Sequence, residues 1–216
     1  MTTILTRARA AAAATPSDRL RSIDFIRAAS MLVVVLGHWL MALIWLDGDT
    51  PRFGHALADA PWTQWLTWAV QVMPLFFLAG GFSNARSLDA ARRSGKSSWE
   101  WVGARVRRLM TPTVPLVVAW TALLWFAGSL DPQLARAAAT VALVPLWFLA
   151  VYVVVVLLAP LTHRLHARFG PSAITAGAAL AVGVDVLRFG LGWEWIGWAN
   201  FAFVWLTIHQ VGYAWD

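Results

Sequence analysis

Residues 24–46 read DFIRAASMLVVVLGHWLMALIWL, and this stretch decides the fold class. From Phe25 onward it is one long apolar run interrupted by one arginine, Arg27, and one histidine, His38. About 20 apolar residues, rising about 1.5 Å each, cross the hydrocarbon core of a bilayer as a helix. The strict two-residue alternation of a membrane barrel strand is missing. Arg27 and His38 are eleven positions apart, which at about 100° per residue places them about 20° apart around the helix and about 16 Å apart along it. Asp24, Met31, Val34 and Trp45 lie near the same stripe. One face of this helix is therefore wet or covered by protein, while the rest can meet lipid.

The remainder of the chain repeats the pattern. Of 216 residues, 59% are hydrophobic and 13% charged, with a mean hydropathy of +0.62, outside the balance of a soluble domain. Nearly charge-free windows recur at 62–82, 111–130, 137–158, 173–189 and 195–213. The expected fold is all-α: a polytopic transmembrane helical bundle of about six spanning helices. Pro74 and the Gly80-Gly81 pair are expected to bend or close the second span. Pro112 opens the third span, Pro145 kinks the fourth, Pro160 closes it, and Pro171 introduces the fifth. Residues 1–23 are expected to form a disordered basic cytoplasmic tail ahead of a helical domain over 24–213. The first apolar run is too long for a secretory signal peptide and should stay in the protein.

Charge orients the bundle. With the N-terminus in the cytoplasm, fourteen of the seventeen lysines and arginines fall on the inner side, and only Arg52, Arg136 and Arg188 face out. The net charge of +6 is then a topology signal rather than a nucleic-acid footprint, and the natural partner is the lipid bilayer of a bacterial inner membrane. The absence of cysteine excludes disulfides, thiol nucleophiles and thiolate metal sites. No metal-ligand spacing, nucleotide fingerprint or nucleophile elbow occurs. Many of the fifteen tryptophans sit near span ends, where an amphipathic ring suits the headgroup layer.

Several residues could carry chemistry. Arg27 is either an inner anchor snorkelling to the headgroups or part of a site. His38 is too deep to reach a headgroup, so it is either tied by an interhelical hydrogen bond or placed for general acid/base or proton-relay work. Gln64, Trp68 and Gln71 form a ridge on the second helix, with Gln71 needing a partner. Ser83 and Asn84 follow the expected helix break, where freed backbone groups could hold a ligand. The Ser97-Ser98-Trp99-Glu100 run is a capping box opening an amphipathic helix with Trp99, Val102, Val106 and Leu109 on one stripe. On that helix Arg105 and Arg108, at i and i+3, can chelate phosphate oxygens together. Asp185, Asn200, His209 and Gln210 are further polar candidates, whereas His163 and His166 fall in an expected solvated loop.

Taken in order, these residues resemble the membrane acyltransferase-3 family of integral-membrane O-acyltransferases. The resemblance rests on Arg27-x10-His38, on Phe76-Phe77-Leu78-Ala79-Gly80-Gly81-Phe82, on Arg105-x-x-Arg108-Leu109 with Pro112, and on Leu146-Trp147-Phe148-Leu149. It continues in the C-terminal run from Phe203 to Tyr213. The second of these motifs commonly reads Phe-Phe-x-x-Ser-Gly-Phe in the family, whereas this chain has Ala79 and an extra glycine, and members usually carry about ten core spans. The chain therefore resembles the N-terminal portion of such an enzyme, with a possible partner supplying further helices. The resemblance implies transfer of an acyl group, usually acetyl from acetyl-CoA, to a hydroxyl of a carbohydrate or lipid-linked acceptor. It implies no tightly bound cofactor and no metal. His38 would be the base or acyl relay, Arg27 a donor-positioning group, and Arg105, Arg108, Ser83 and Asn84 the donor-binding residues. Two other classes fit the same polar line: a proton-coupled transporter and a non-catalytic membrane scaffold.

Overall fold

The computed structural model describes residues 2–14, 20–41, 43–48, 50–54, 56–130 and 146–215. Among these the chain is helical apart from one hairpin. Helix α1 (Thr2–Ala13) precedes α2 (Arg21–Met41), which carries the Arg27–His38 stripe. The hairpin pairs β1 (Leu43–Asp47) with β2 (Thr50–Gly54). A short α3 (Ala56–Asp59), a 3-10 turn (Pro61–Thr63) and α4 (Gln64–Ala69) lead into α5 (Val72–Arg93). Then follow α6 (Ser98–Met110), α7 (Thr113–Leu130), α8 (Leu146–Phe169) and α9 (Pro171–Asp185). One π turn (Val186–Gly190) and a 3-10 segment (Glu194–Ala199) deliver the chain to α10 (Asn200–Tyr213).

Four helical stretches among the described residues are long and apolar enough to cross a membrane: Pro61–Arg93, Ser98–Phe126, Leu146–Phe169 and Pro171–Gly190. With their abundant exposed Leu, Val, Phe and Trp side chains, they make the chain a polytopic membrane helical bundle.

The helix bounds depart from the sequence expectation in instructive places. Helix α2 stops at Met41, and Trp45 and Leu46 lie exposed on β1 instead of ending the first span. Gly48, at φ 63°, supplies the left-handed residue that the two-residue hairpin turn needs, and Arg52 reaches back to Asp47 at 3.3 Å. The second span breaks at Val70 and Gln71, ahead of Pro74, so the proline sits in the first turn of α5, where its missing N–H goes unused. Gly80 and Gly81 do not end that helix, which continues without a break to Arg93.

These glycines serve packing instead. A Cβ on Gly81 would run into the carbonyl of His209, and one on Gly212 into the carbonyl of Leu78. Helices α5 and α10 thus meet backbone to backbone, the close approach that small residues permit between membrane helices. Pro160 likewise lies buried inside α8, which runs on to Phe169. Pro145 and the start of the expected fourth span lie outside the described residues.

The core sits where α5, α6, α8 and α10 converge. Phe77, Leu88, Trp101, Val102, Tyr152, Val155, Val156 and Ala159 form its buried cluster, with Trp205 stacked on Phe77 at 4.4 Å. Helix α6 is fixed by its N-terminus as the sequence foretold. The Ser97 amide donates to Glu100 at 2.7 Å, and the Glu100 amide donates to Ser97 Oγ at 3.1 Å. The buried face is shifted, however. Trp101 and Val102 turn inward and Trp101 Nε1 donates to Ser87 Oγ at 3.1 Å, whereas Trp99 is 74% exposed.

Candidate active site

Arg27 from α2, Ser83 from α5, and Arg105 and Arg108 from α6 all line one cavity of about 310 Å³. Its remaining wall is formed by Gly80, Leu109, Leu149 and the aromatic residues Phe76, Phe148 and Tyr152. Three arginines therefore line a space to which none of the described lining residues brings a carboxylate. Such a cavity favours anions, and arginine forks bind phosphate oxygens in pairs. Helical spacing explains the local arrangement: Arg105 and Arg108 project one turn apart, on the side of α6 next to its buried Trp101–Val102 face.

His38 lines a second chamber of about 280 Å³, walled by Met31, Val34, Val35, Met73 and Trp147. Phe76 and Phe148 also belong to its wall, so the same two rings border both spaces. The rings meet edge to face with centroids 5.0 Å apart. His38 Nδ1 lies 2.7 Å from the carbonyl of Val34, one turn earlier. A carbonyl can only accept, so Nδ1 donates, which makes Nε2 the acceptor of the neutral ring. The sequence interval thus becomes a physical one: Arg27 stands at the cationic cavity, His38 at the apolar chamber, and an aromatic pair lies between.

Asn84 is not in the cavity wall, although it follows Ser83. It is 1% exposed and points into the interior, where its Nδ2 donates to His209 Nε2 at 3.0 Å and to the Tyr152 hydroxyl at 3.5 Å. Ser83 Oγ donates to the Ala79 carbonyl at 2.8 Å, one turn back along α5. The freed backbone groups expected beside Ser83 and Asn84 do not exist, because the helix passes through both positions.

Other polar residues fall differently from their sequence reading. Gln71 is exposed and precedes the first turn of α5 rather than bonding a neighbouring helix. His163 and His166 are on α8, not in a loop. His163 Nδ1 faces Arg92 at 3.3 Å and its Nε2 faces Asp89 at 3.4 Å, tying α8 to the end of α5. Asp185 is exposed and accepts from Asn200 Nδ2 at 2.7 Å. His209 and Gln210 are fully and almost fully buried within the protein.

Tyr152 was not singled out from sequence, yet it joins the cavity to the buried Asn84–His209 pair. A signal was available: the chain has two tyrosines against fifteen tryptophans, and a phenol inside an apolar helix requires a partner. Among the described residues no group of three metal-ligating side chains occurs.

A family model described as an acyltransferase domain matches residues 20–215 of the chain. No curated protein and no solved structure matches it.

Proposed function

The chain belongs to the membrane acyltransferase-3 family, and from that membership we propose that it transfers an acyl group, acetyl in the simplest case, from acyl-CoA to a hydroxyl of a carbohydrate or lipid-linked acceptor. The observation that carries this reading is the pair of adjoining spaces. A cavity with three arginines suits the phosphates of coenzyme A, and beyond two shared aromatic rings stands a histidine whose Nδ1 is engaged by the Val34 carbonyl. Arg105 and Arg108 hold phosphate oxygens, Arg27 adds a third cation, and Ser83 lies within the same wall. The pantetheine arm leads past Phe76 and Phe148 towards His38.

The chemistry follows from the tautomer. His38 Nε2 accepts the proton of the attacking hydroxyl as its oxygen adds to the thioester carbonyl. A carbon–oxygen bond forms, the carbon–sulfur bond breaks, and the departing thiolate takes back the proton from the imidazolium. The Val34 carbonyl, accepting from Nδ1–H, steadies the ring in the imidazolium as well as the neutral form. In this reading the N-terminus is cytoplasmic, about six helices span the membrane, and the donor enters from the inner side, where the sequence concentrates arginine.

The test is transfer of radiolabelled acetyl from acetyl-CoA to polysaccharide or lipid-linked acceptors by protein purified in lipid nanodiscs. Label is expected on the acceptor hydroxyl, and loss of transfer is expected in a folded His38→Ala protein. Undiminished transfer by that variant would remove His38 from the mechanism.

A further inference from the structure

The chain's two tyrosines are both connected to the buried histidine of α10. Tyr213 meets the His209 ring edge-on at 5.1 Å, and Tyr152 reaches it through Asn84. Tyr152 alone also faces the cationic cavity. Its ring is held on several sides: stacked on Phe148 at 5.9 Å and edge-on to Phe76 and Phe77 at 6.1 and 5.7 Å. Its hydroxyl presses on the backbone of Gly80, where a Cβ would stand only 2.7 Å from the oxygen. Gly80 is one turn from Phe76, and Tyr152 is one turn from Phe148. The phenol therefore sits where the cationic cavity adjoins the rings that bound the His38 chamber.

The hydrogen bonds behind Tyr152 set its polarity. Asn84 spends one amide hydrogen on His209 Nε2 and the other on the Tyr152 oxygen. With Nε2 accepting, the buried His209 carries its proton on Nδ1, which like Asn84 Oδ1 has no hydrogen-bond partner among the described residues, and it does not donate towards Asn84. The Tyr152 oxygen is consequently an acceptor from behind, and none of the described residues accepts the phenol's own hydrogen. A buried donor of this kind is held ready for a ligand acceptor. The cations of the cavity suit phosphate, whereas a neutral hydroxyl at the inner end suits a neutral oxygen that gains negative charge during reaction.

We propose that the Tyr152 hydroxyl donates a hydrogen bond to the carbonyl oxygen of the donor thioester, with Asn84 and His209 as positioning residues that keep its proton directed into the cavity. The proposal rests on the acyl-CoA reading of the site. It adds a residue that contacts the reacting group and a reason for a buried asparagine–histidine pair that touches no ligand.

Binding of acetyl-CoA and of free coenzyme A separates the two ideas, because the phosphates are common to both and the carbonyl is not. Isothermal calorimetry on the full chain in nanodiscs should give tighter binding of acetyl-CoA than of coenzyme A. Tyr152→Phe should reduce that preference about three- to tenfold while leaving coenzyme A affinity within twofold, as removal of one hydrogen bond to a neutral group requires. Asn84→Asp places a carboxylate behind the phenol, draws the phenolic hydrogen away from the cavity, and should produce the same loss. A Tyr152→Phe protein that keeps the preference, or weakens both ligands equally, overturns the proposal. So does a native protein that binds the two ligands equally. An Asn84→Asp protein that folds and keeps the preference overturns the positioning role. Failure of the native protein to bind coenzyme A at all refutes instead the acyl-CoA reading on which the proposal stands.

Discussion

The cavity beside Arg105 and the chamber beside His38 share two rings and little else. One has three arginines in its wall and the other a single imidazole among methionine, valine and aromatic side chains. In the proposed reading the phosphates of the donor lie on one side of the shared Phe76–Phe148 pair and the base stands on the other. The difference teaches that binding and chemistry need opposite environments. Phosphate recognition profits from concentrated cations, whereas an apolar wall keeps water away from the reacting groups.

The strongest way to break this comparison is to remove what aligns both spaces. Gly81→Val puts a branched side chain against the His209 carbonyl and should push α10 off α5, costing about 4 kcal/mol or more. Loss of a monodisperse peak in size-exclusion chromatography, with a collapsed melting transition, is the expected result. Gly103→Ala serves as its control. Nothing lies within 4 Å of that position on α6, so the variant should fold normally and gain about 0.5–1 kcal/mol from helix propensity.

The next largest effect addresses the chamber alone. His38→Ala should lower acyl transfer by about 10²–10⁴-fold, the range for loss of a general base, with coenzyme A affinity held within twofold. A matching loss of affinity would show that the two spaces act as one. The converse substitution, Arg105→Ala with Arg108→Ala, should weaken coenzyme A about 10- to 100-fold by calorimetry, as charge-assisted bonds to phosphate require. Transfer at saturating donor should change far less. Ser97→Ala is the smallest perturbation. It removes one cap from α6 and should cost about 1 kcal/mol in thermal stability, with a slight loss of donor affinity because the arginines ride on that helix.

Much of this arrangement was legible in the sequence, and the legible parts share a cause. The Arg27–His38 stripe, the capping box at Ser97 and the pairing of Arg105 with Arg108 depend only on helical periodicity over a few turns. Each came through with its residues on the elements foreseen. The failures also share a cause. Gly80-Gly81 looks like a helix terminator when only local conformational cost is counted, but Gly81 packs against Gly212, 131 positions away, and Gly80 against Tyr152. Pro160 looks like a stop, yet α8 passes through it, because neighbouring helices bury the segment and stabilise it. His163 looked idle because the strand of contacts to Asp89 and Arg92 on α5 has no local signature.

By itself the sequence determined that this is a polytopic helical membrane protein, which of its helices carry arginine and histidine, and to which family it belongs. Those properties follow from composition and from short-range spacing. Only the tertiary structure decided that Arg27, Arg105 and Arg108 open onto one cavity, that Phe76 and Phe148 divide it from His38, and that Tyr152 is backed by Asn84 and His209. Each of these depends on which helix faces meet, and that choice is made by packing among residues far apart in the chain.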